Sequence, residues 1–257
     1  MSQTLRIVHN LARSGSTLLC RCIGSMSRVR LLSEIHPQGR RNKTFSAVNQ
    51  YQQWYGDIGI ADYREPKFLD GIIQINAHCE QDQHKLVLRD WAHIDFIGPP
   101  SIRPPGKTLA LDQALCNDFN LTHAIIVRHP LEMWRSLSKL SLIIDNNISL
   151  DFFLAGYRQF LTAVEGYPAF RYEDFTADPT NVMTRLCEAL KLPFDPEFIN
   201  RWPDYHHVTG DIWKNSRASG LREIRQLSIQ PVPKTAPGYP PDHEDYQWII
   251  KNLGYEF

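Results

Sequence analysis

Short runs of aliphatic and β-branched residues punctuate this chain at intervals. Between them lie segments whose apolar positions recur at helical spacing. Leu5-Arg6-Ile7-Val8, Val29-Arg30-Leu31-Leu32, Lys85-Leu86-Val87-Leu88 and Ala124-Ile125-Ile126-Val127 have the composition of buried parallel strands. They predict strands near 5–9, 29–32, 85–88 and 124–128. Helical periodicity predicts helices near 16–27, 109–119, 130–143, 150–165, 179–191 and 242–252. Pro130 suits a first helical turn, and Asp178-Pro179 reads as a cap followed by proline at the first helical position. Residues 98–106, rich in Pro and Gly, continue neither a helix nor a central strand. A second Pro-rich loop spans 230–241. Residues 38–84 read as irregular and aromatic, with Tyr51, Trp54, Tyr55, Tyr63 and Phe68 and one helix-compatible run at 68–73. No internal repeat is present. Strands alternating with helices predict an α/β chain of three layers, a central parallel sheet with helices on both faces.

Composition narrows this to one domain. A chain of 257 residues with 42% hydrophobic content can bury one sizeable core. Lys and Arg together number 28, as do Asp and Glu, so no global basic field favours nucleic acid or a membrane surface. Any phosphate binding must come from local clusters. There is no opening segment with a charged start and an apolar core, and no long apolar run, so the expectation is a cytoplasmic protein without a transmembrane anchor. The five cysteines are scattered and odd in number, which argues against a disulfide framework. Cys20 and Cys22 read as core packing. The ten histidines form no metal signature by spacing, His206 and His207 being adjacent, so no metal site is expected.

Candidate chemistry begins at residues 10–19, Asn-Leu-Ala-Arg-Ser-Gly-Ser-Thr-Leu-Leu. A strand that turns through glycine and hydroxyl residues into a helix start makes a phosphate cradle. The first helical amides lack intrahelical partners, and the helix dipole adds positive potential. Arg13 adds a full charge in a planar fork suited to phosphate. Ser16 and Thr17 can cap the helix or donate hydroxyls to an anion. The GxxxxGK[ST] pattern is absent, so the fold is P-loop-like without a Walker A motif. A second cluster begins where the strand 124–127 ends at Arg128. Leu131, Trp134, Leu137 and Leu140 follow at helical spacing, with Ser136 about two turns in. Ligands of open α/β sheets bind at strand carboxyl ends.

Ala12-Arg13-Ser14-Gly15-Ser16-Thr17-Leu18-Leu19 resembles the 5′-phosphosulfate loop of sulfotransferases that use 3′-phosphoadenosine 5′-phosphosulfate (PAPS). Arg128 and Ser136 resemble the same family's 3′-phosphate motif, and the two motifs occur in the family's order. The resemblance implies one sulfotransferase domain over 1–257, with 38–84 as an acceptor-site or lid insertion. It implies nucleotide contacts from Arg13, Ser14, Gly15, Ser16, Thr17, Leu18, Arg128 and Ser136. Residues 206–220 loosely match a late basic loop that closes over the nucleotide, which gives Lys214 or Arg217 that role. Tyr172-Glu173-Asp174-Phe175 resembles a family segment at a strand end. Tyr172 joins the nucleotide contacts, and the segment as a whole reads mainly as fold support. Arg13 stands where many soluble members carry lysine.

Sulfuryl transfer needs a base to take the acceptor proton and cations to stabilise charge on the leaving phosphate. No metal is required in principle. Glu34 is the first candidate for the base, because several branches place a glutamate shortly after the phosphate-loop helix. His93, His36 and Asp90 are the alternatives. Arg13, and with it Arg89, could supply positive charge at the bridging oxygen. The acceptor class stays open among a small-molecule alcohol, a carbohydrate and a lipid; the aromatic residues of 38–84 could favour a ring or could be core. Rival readings are a small-molecule or nucleotide kinase with an atypical loop and a noncatalytic nucleotide-binding protein.

Overall fold

The computed structural model describes residues 3–98, 108–210, 222–225 and 242–255. Among these, five parallel strands form one sheet: β1 (Gln3–Asn10), β2 (Val29–Ile35), β3 (Lys85–Asp90), β4 (Phe119–Val127) and β5 (Ala169–Arg171). Their order is β2-β3-β1-β4-β5, which puts β1 in the centre. Ile7 pairs with His123 and Leu88, and Val8 with Ala124 and Arg89. Parallel pairing brings every carboxyl end, and the loop after it, to one edge of the sheet.

Helices cover both faces. The first covering layer holds α1 (Ser16–Gly24), α10 (Pro179–Ala189) and α11 (Phe198–Arg201), which pack on Val8, Leu31, Val87, Ala124 and Ile126. On the other face, α2 (Ala47–Tyr55), α3 (Phe68–Gln81) and α5 (Ala110–Leu115) pack on Leu5, Ile7, Leu32, Leu86 and Leu88. There, α4 (His93–Ile97), α6 (Pro130–Leu137), α8 (Leu150–Ala163) and α12 (Glu244–Leu253) pack on Ile125 and Val127. Two short helices, α7 (Ser141–Asp145) and α9 (Tyr172–Ala177), complete the α-helices among the described residues. Successive strand residues point to opposite faces, so near-continuous apolar runs fill both interfaces. This is the expected α/β three-layer architecture. No described helix is long and apolar enough to cross a membrane.

Several boundaries differ from the sequence expectation. Residues 38–84 are not irregular: they hold a 3-10 turn at Pro37–Arg41, then α2 and α3. The periodicity of α2 is blurred because Asn49 and Gln50 are buried beside Tyr51. The expected helix 130–143 divides, because Leu140 is extended; the break lets Leu137 and Ile143 enter the same core. The expected helix 16–27 stops at Gly24, which lies against Tyr205 where a Cβ could not fit. β4 starts at Phe119 rather than 124, since Leu121, Thr122 and His123 already pair with β1. The expected loops at 98–106 and 230–241 fall almost wholly outside the described residues. Cys20, Cys22, Cys79 and Cys187 are free and buried in core clusters, whereas Cys116 is exposed.

Candidate functional site

The loop between β1 and α1 is held in an unusual backbone shape. Arg13 (φ 68°) and Gly15 (φ 87°) both lie in the left-handed region, around an intervening Ser14. Such alternation turns successive amides inward and makes an anion-binding concavity. Only glycine fits at 15, since a side chain there would also overlap the ring of Tyr172. Gly15 itself is the helix cap, so the expected side-chain capping by Ser16 or Thr17 does not occur. Its carbonyl accepts the first intrahelical bond, from Leu18 N at 3.2 Å, which leaves the Ser16 and Thr17 amides ahead of the helical ladder. Ser14 Oγ is buried with no hydrogen-bond partner. Buried polar atoms are normally paired, so an orphan hydroxyl in this loop is a place for a ligand oxygen.

The mid-chain motif folds onto the same loop. Arg13 Nε donates to Ser136 Oγ at 2.7 Å, across 123 residues of sequence. Arg128 Nη1 donates to the Arg13 carbonyl at 3.5 Å, and its guanidinium lies 4.6 Å from the centroid of the Tyr172 ring. Arg128 Nε is buried and unpartnered. Glu132, a buried residue the sequence did not single out, accepts from Arg128 Nη2 (3.4 Å) and Arg135 Nη2 (2.7 Å) and so fixes how Arg128 is aimed. The end of β4 is braced by Tyr157, whose hydroxyl donates to the Arg128 carbonyl at 2.9 Å. Glu173 accepts from His129 N and from the Tyr255 hydroxyl, a bracing role consistent with fold support. Arg13, Gly15, Arg128, Ser136 and Tyr172 therefore form one cluster. Lys214 and Arg217 lie outside the described residues.

Glu34 reaches the loop through Arg89. A bulge in β2 between Leu32 and Ile35 puts Glu34 at φ 57°. Bulges of this kind re-aim a side chain. Gln50 takes up the backbone groups the bulge frees: it accepts from Ser33 N (2.8 Å) and donates to Ser33 O (2.7 Å). Arg89 is almost wholly buried and donates to Asn10 Oδ1, Ser33 Oγ, Thr209 O and Ser16 Oγ at 3.0–3.3 Å. Its Nη2 also lies 3.9 Å from Glu34 Oε1. Gly210, at φ 86°, packs so closely against the Glu34 carboxylate that a Cβ would crowd it.

The other base candidates sit elsewhere. His36 Nδ1 accepts from Gln38 N at 3.1 Å, so Nε2 carries the proton and donates to Asp95 at 3.2 Å; neither nitrogen is left for an acceptor. His93 is 4% exposed, both ring nitrogens lack hydrogen-bond partners, and burial lowers its pKa to about 4. Asp90 is fully buried against His9 Nδ1 at 2.8 Å. Burial acts on that pair in one sense, raising Asp90 well above the usual carboxylate range and lowering His9 to about 4. Of the four, Glu34 alone combines partial exposure with a link to the phosphate loop.

The face of the sheet opposite α1 holds a cluster that sequence spacing gave no sign of. His9 Nε2 lies 3.1 Å from His123 Nδ1 and 3.4 Å from Asp112 Oδ1. Tyr167 stacks on His123 with centroids 4.0 Å apart and donates to Asp112 Oδ2 at 3.0 Å. Strand pairing assembles the group, since β4 brings His123 beside β1 and α5 sets Asp112 over them. The grouping arises in space and has no counterpart in the spacing of the histidines along the sequence.

No protein-family model matches the chain, and no curated protein matches it in sequence. Solved structures do. A sulfotransferase domain from the Synechococcus PCC 7002 olefin synthase aligns over 100% of this chain and 96% of its own, with a TM-score of 0.57 and 15% identity. The fold is that of a sulfotransferase domain. A sulfotransferase domain from the curacin biosynthetic pathway aligns over 99% of both chains, with a TM-score of 0.53 and 18% identity.

Proposed function

We propose that this protein is a sulfotransferase that moves a sulfuryl group from PAPS to an acceptor hydroxyl or amine and releases PAP. The observation that carries the reading is the convergence of Arg13, Arg128 and Ser136 on a left-handed, glycine-capped loop at a helix start. Two cations, an orphan serine hydroxyl and early helical amides suit a nucleotide with phosphates at both its 5′ and 3′ ends. In this reading Arg13, Ser14, Gly15, Ser16, Thr17 and Leu18 hold the 5′-phosphosulfate. Arg128 and Ser136 hold the 3′-phosphate, with Tyr172 beneath Arg128. Lys214 or Arg217 would close over the nucleotide.

PAPS supplies the activated sulfuryl group. Glu34 accepts the proton of the attacking hydroxyl, the new O–S bond forms in line, and the bond from sulfur to the phosphate oxygen breaks. Arg13 and the loop amides stabilise the charge left on that phosphate, an effect of several kcal/mol in comparable sites. Arg89 holds Glu34 and Ser16 at one end of the reacting line, so base and phosphate loop share one rigid support. None of these steps calls on a metal. The acceptor is a small molecule, carbohydrate or lipid rather than a nucleic acid. Tyr51 of the 38–84 segment is core, with Trp54, Tyr55, Tyr63 and Phe68 packed against that core. Phe45 and Trp91 stack with 4.2 Å between centroids, and Trp91 directly follows the carboxyl end of β3. This pair is where we place an apolar portion of the acceptor.

Calorimetric titration with PAP, with ATP·Mg²⁺ as control and Arg128→Ala as variant, tests the reading. Metal-independent PAP binding that weakens in the variant is the expected result and justifies an acceptor screen with PAPS. Preference for ATP·Mg²⁺ would replace the reading with a kinase. Binding of neither would leave a protein that retains the fold alone.

A further inference from the structure

His9, His123 and Asp112 converge on one point from three elements. His9 Nε2 is 3.1 Å from His123 Nδ1 and 3.4 Å from Asp112 Oδ1, and His123 Nδ1 is 3.8 Å from Asp112 Oδ2. Ligands about 2.0–2.1 Å from a tetrahedral zinc ion stand about 3.3 Å from one another, close to the His9–His123 and His9–Asp112 separations before any metal enters. Asp90 Oδ2 lies 2.8 Å from His9 Nδ1, and in the tautomer with the proton on Nδ1 His9 Nε2 presents a lone pair. Asp112 presents carboxylate oxygens to the same point, and its Oδ1 is buried without a hydrogen-bond partner.

We propose that His9, His123 and Asp112 form a binding site for one divalent transition-metal ion of the zinc class, separate from the nucleotide site. The donor set of two imidazoles and a carboxylate suits zinc, and fixed outer partners are what such sites require. Asp90 fixes His9 from behind, and the Tyr167 hydroxyl holds the far oxygen of Asp112 at 3.0 Å. His9 is fully buried, whereas the side chains of His123 and Asp112 are each 15% exposed, which gives the ion an entry path and a fourth position for water. The ion would pin α5 to β1 and β4. His9 immediately precedes Asn10, which holds Arg89. A filled site therefore stiffens the strand end from which the phosphate loop springs.

The test uses the whole chain, stripped with a chelator and titrated with Co²⁺ and then Zn²⁺. One equivalent of Co²⁺ should bind at micromolar concentration or tighter, with the visible absorption of a four-coordinate ion, and Zn²⁺ should displace it. His123→Ala should weaken binding at least 100-fold and Asp112→Asn at least tenfold, with circular dichroism unchanged. Zinc should raise the Tm of the parent and of neither variant. Asp112→Asn keeps the size of the side chain and safeguards the result if His123→Ala folds poorly. Absence of stoichiometric uptake, or uptake equal in parent and Asp112→Asn, overturns the proposal and leaves a hydrogen-bonded cluster. Retained PAP binding by the variants would separate this outcome from any failure of the sulfotransferase reading.

Discussion

Residues 9 and 10 are neighbours on the central strand and serve opposite chemistries. Asn10 faces α1 and takes a hydrogen bond from Arg89, within a side of the sheet that gathers Arg13, Arg89 and Arg128 around hydroxyls and amides. His9 faces the other way, into a group of imidazoles and carboxylates made by Asp90, Asp112 and His123. The pleat alone produces the separation, because successive side chains leave a strand on opposite faces. Arg89 and Asp90 repeat the pattern one strand away. A central strand between two helix layers can therefore keep a cationic cluster and an imidazole–carboxylate cluster on opposite faces of one sheet.

The largest effect expected on the cationic side is on turnover. Glu34→Gln removes the proposed base and should lower the transfer rate 10²- to 10⁴-fold, while PAP affinity and metal uptake stay within twofold, as rate assays and two titrations would show. An unchanged rate would move the base elsewhere. Gly15→Ala comes next. It forces a Cβ into the Tyr172 ring at φ 87° and should cost about 2 kcal/mol or more, read as a lower Tm together with weaker PAP binding. Arg128→Ala should weaken PAP binding about 10- to 100-fold, the loss of charge-assisted hydrogen bonds, with little change in Tm.

The smallest effect concerns the other face and is a matter of pH. His93 is buried with a pKa near 4, below the 6.5 of an unfolded histidine, so the unfolded chain binds its proton first. Its contribution is intact above pH 6.5 and is lost progressively as pH falls towards 4. His93→Leu should flatten this acid limb in chemical denaturation series and leave stability at pH 8 nearly unchanged. A limb as steep as the parent's would assign the acid sensitivity to other groups.

The two phosphate-type motifs are legible in the sequence because each is local. A strand run, a glycine and hydroxyl turn and a helix start sit within about ten residues, and so do Arg128 and Ser136. Four of the five described strands are legible for the same reason; β5, only three residues long, makes no apolar run of its own. Glu34 could be nominated from its position, but not its aim, which depends on a bulge stabilised by Gln50 from another element. Gln50 also hides α2, since a buried glutamine breaks the apolar period that would announce the helix. The imidazole and carboxylate cluster leaves no trace in spacing. His9, Asp112 and His123 are joined by strand register and by the placement of α5, neither of which is written in neighbouring letters.

The contact between Gly15 and Tyr172 has an evolutionary consequence. The ring occupies the volume a side chain at 15 would need, and the same ring supports Arg128. Neither position can drift alone: a larger residue at 15 demands a smaller one at 172, and a smaller one at 172 takes the platform from Arg128. Lineages of this fold should inherit the two residues as a unit. A graft of the loop into a relative should fail unless the tyrosine travels with it.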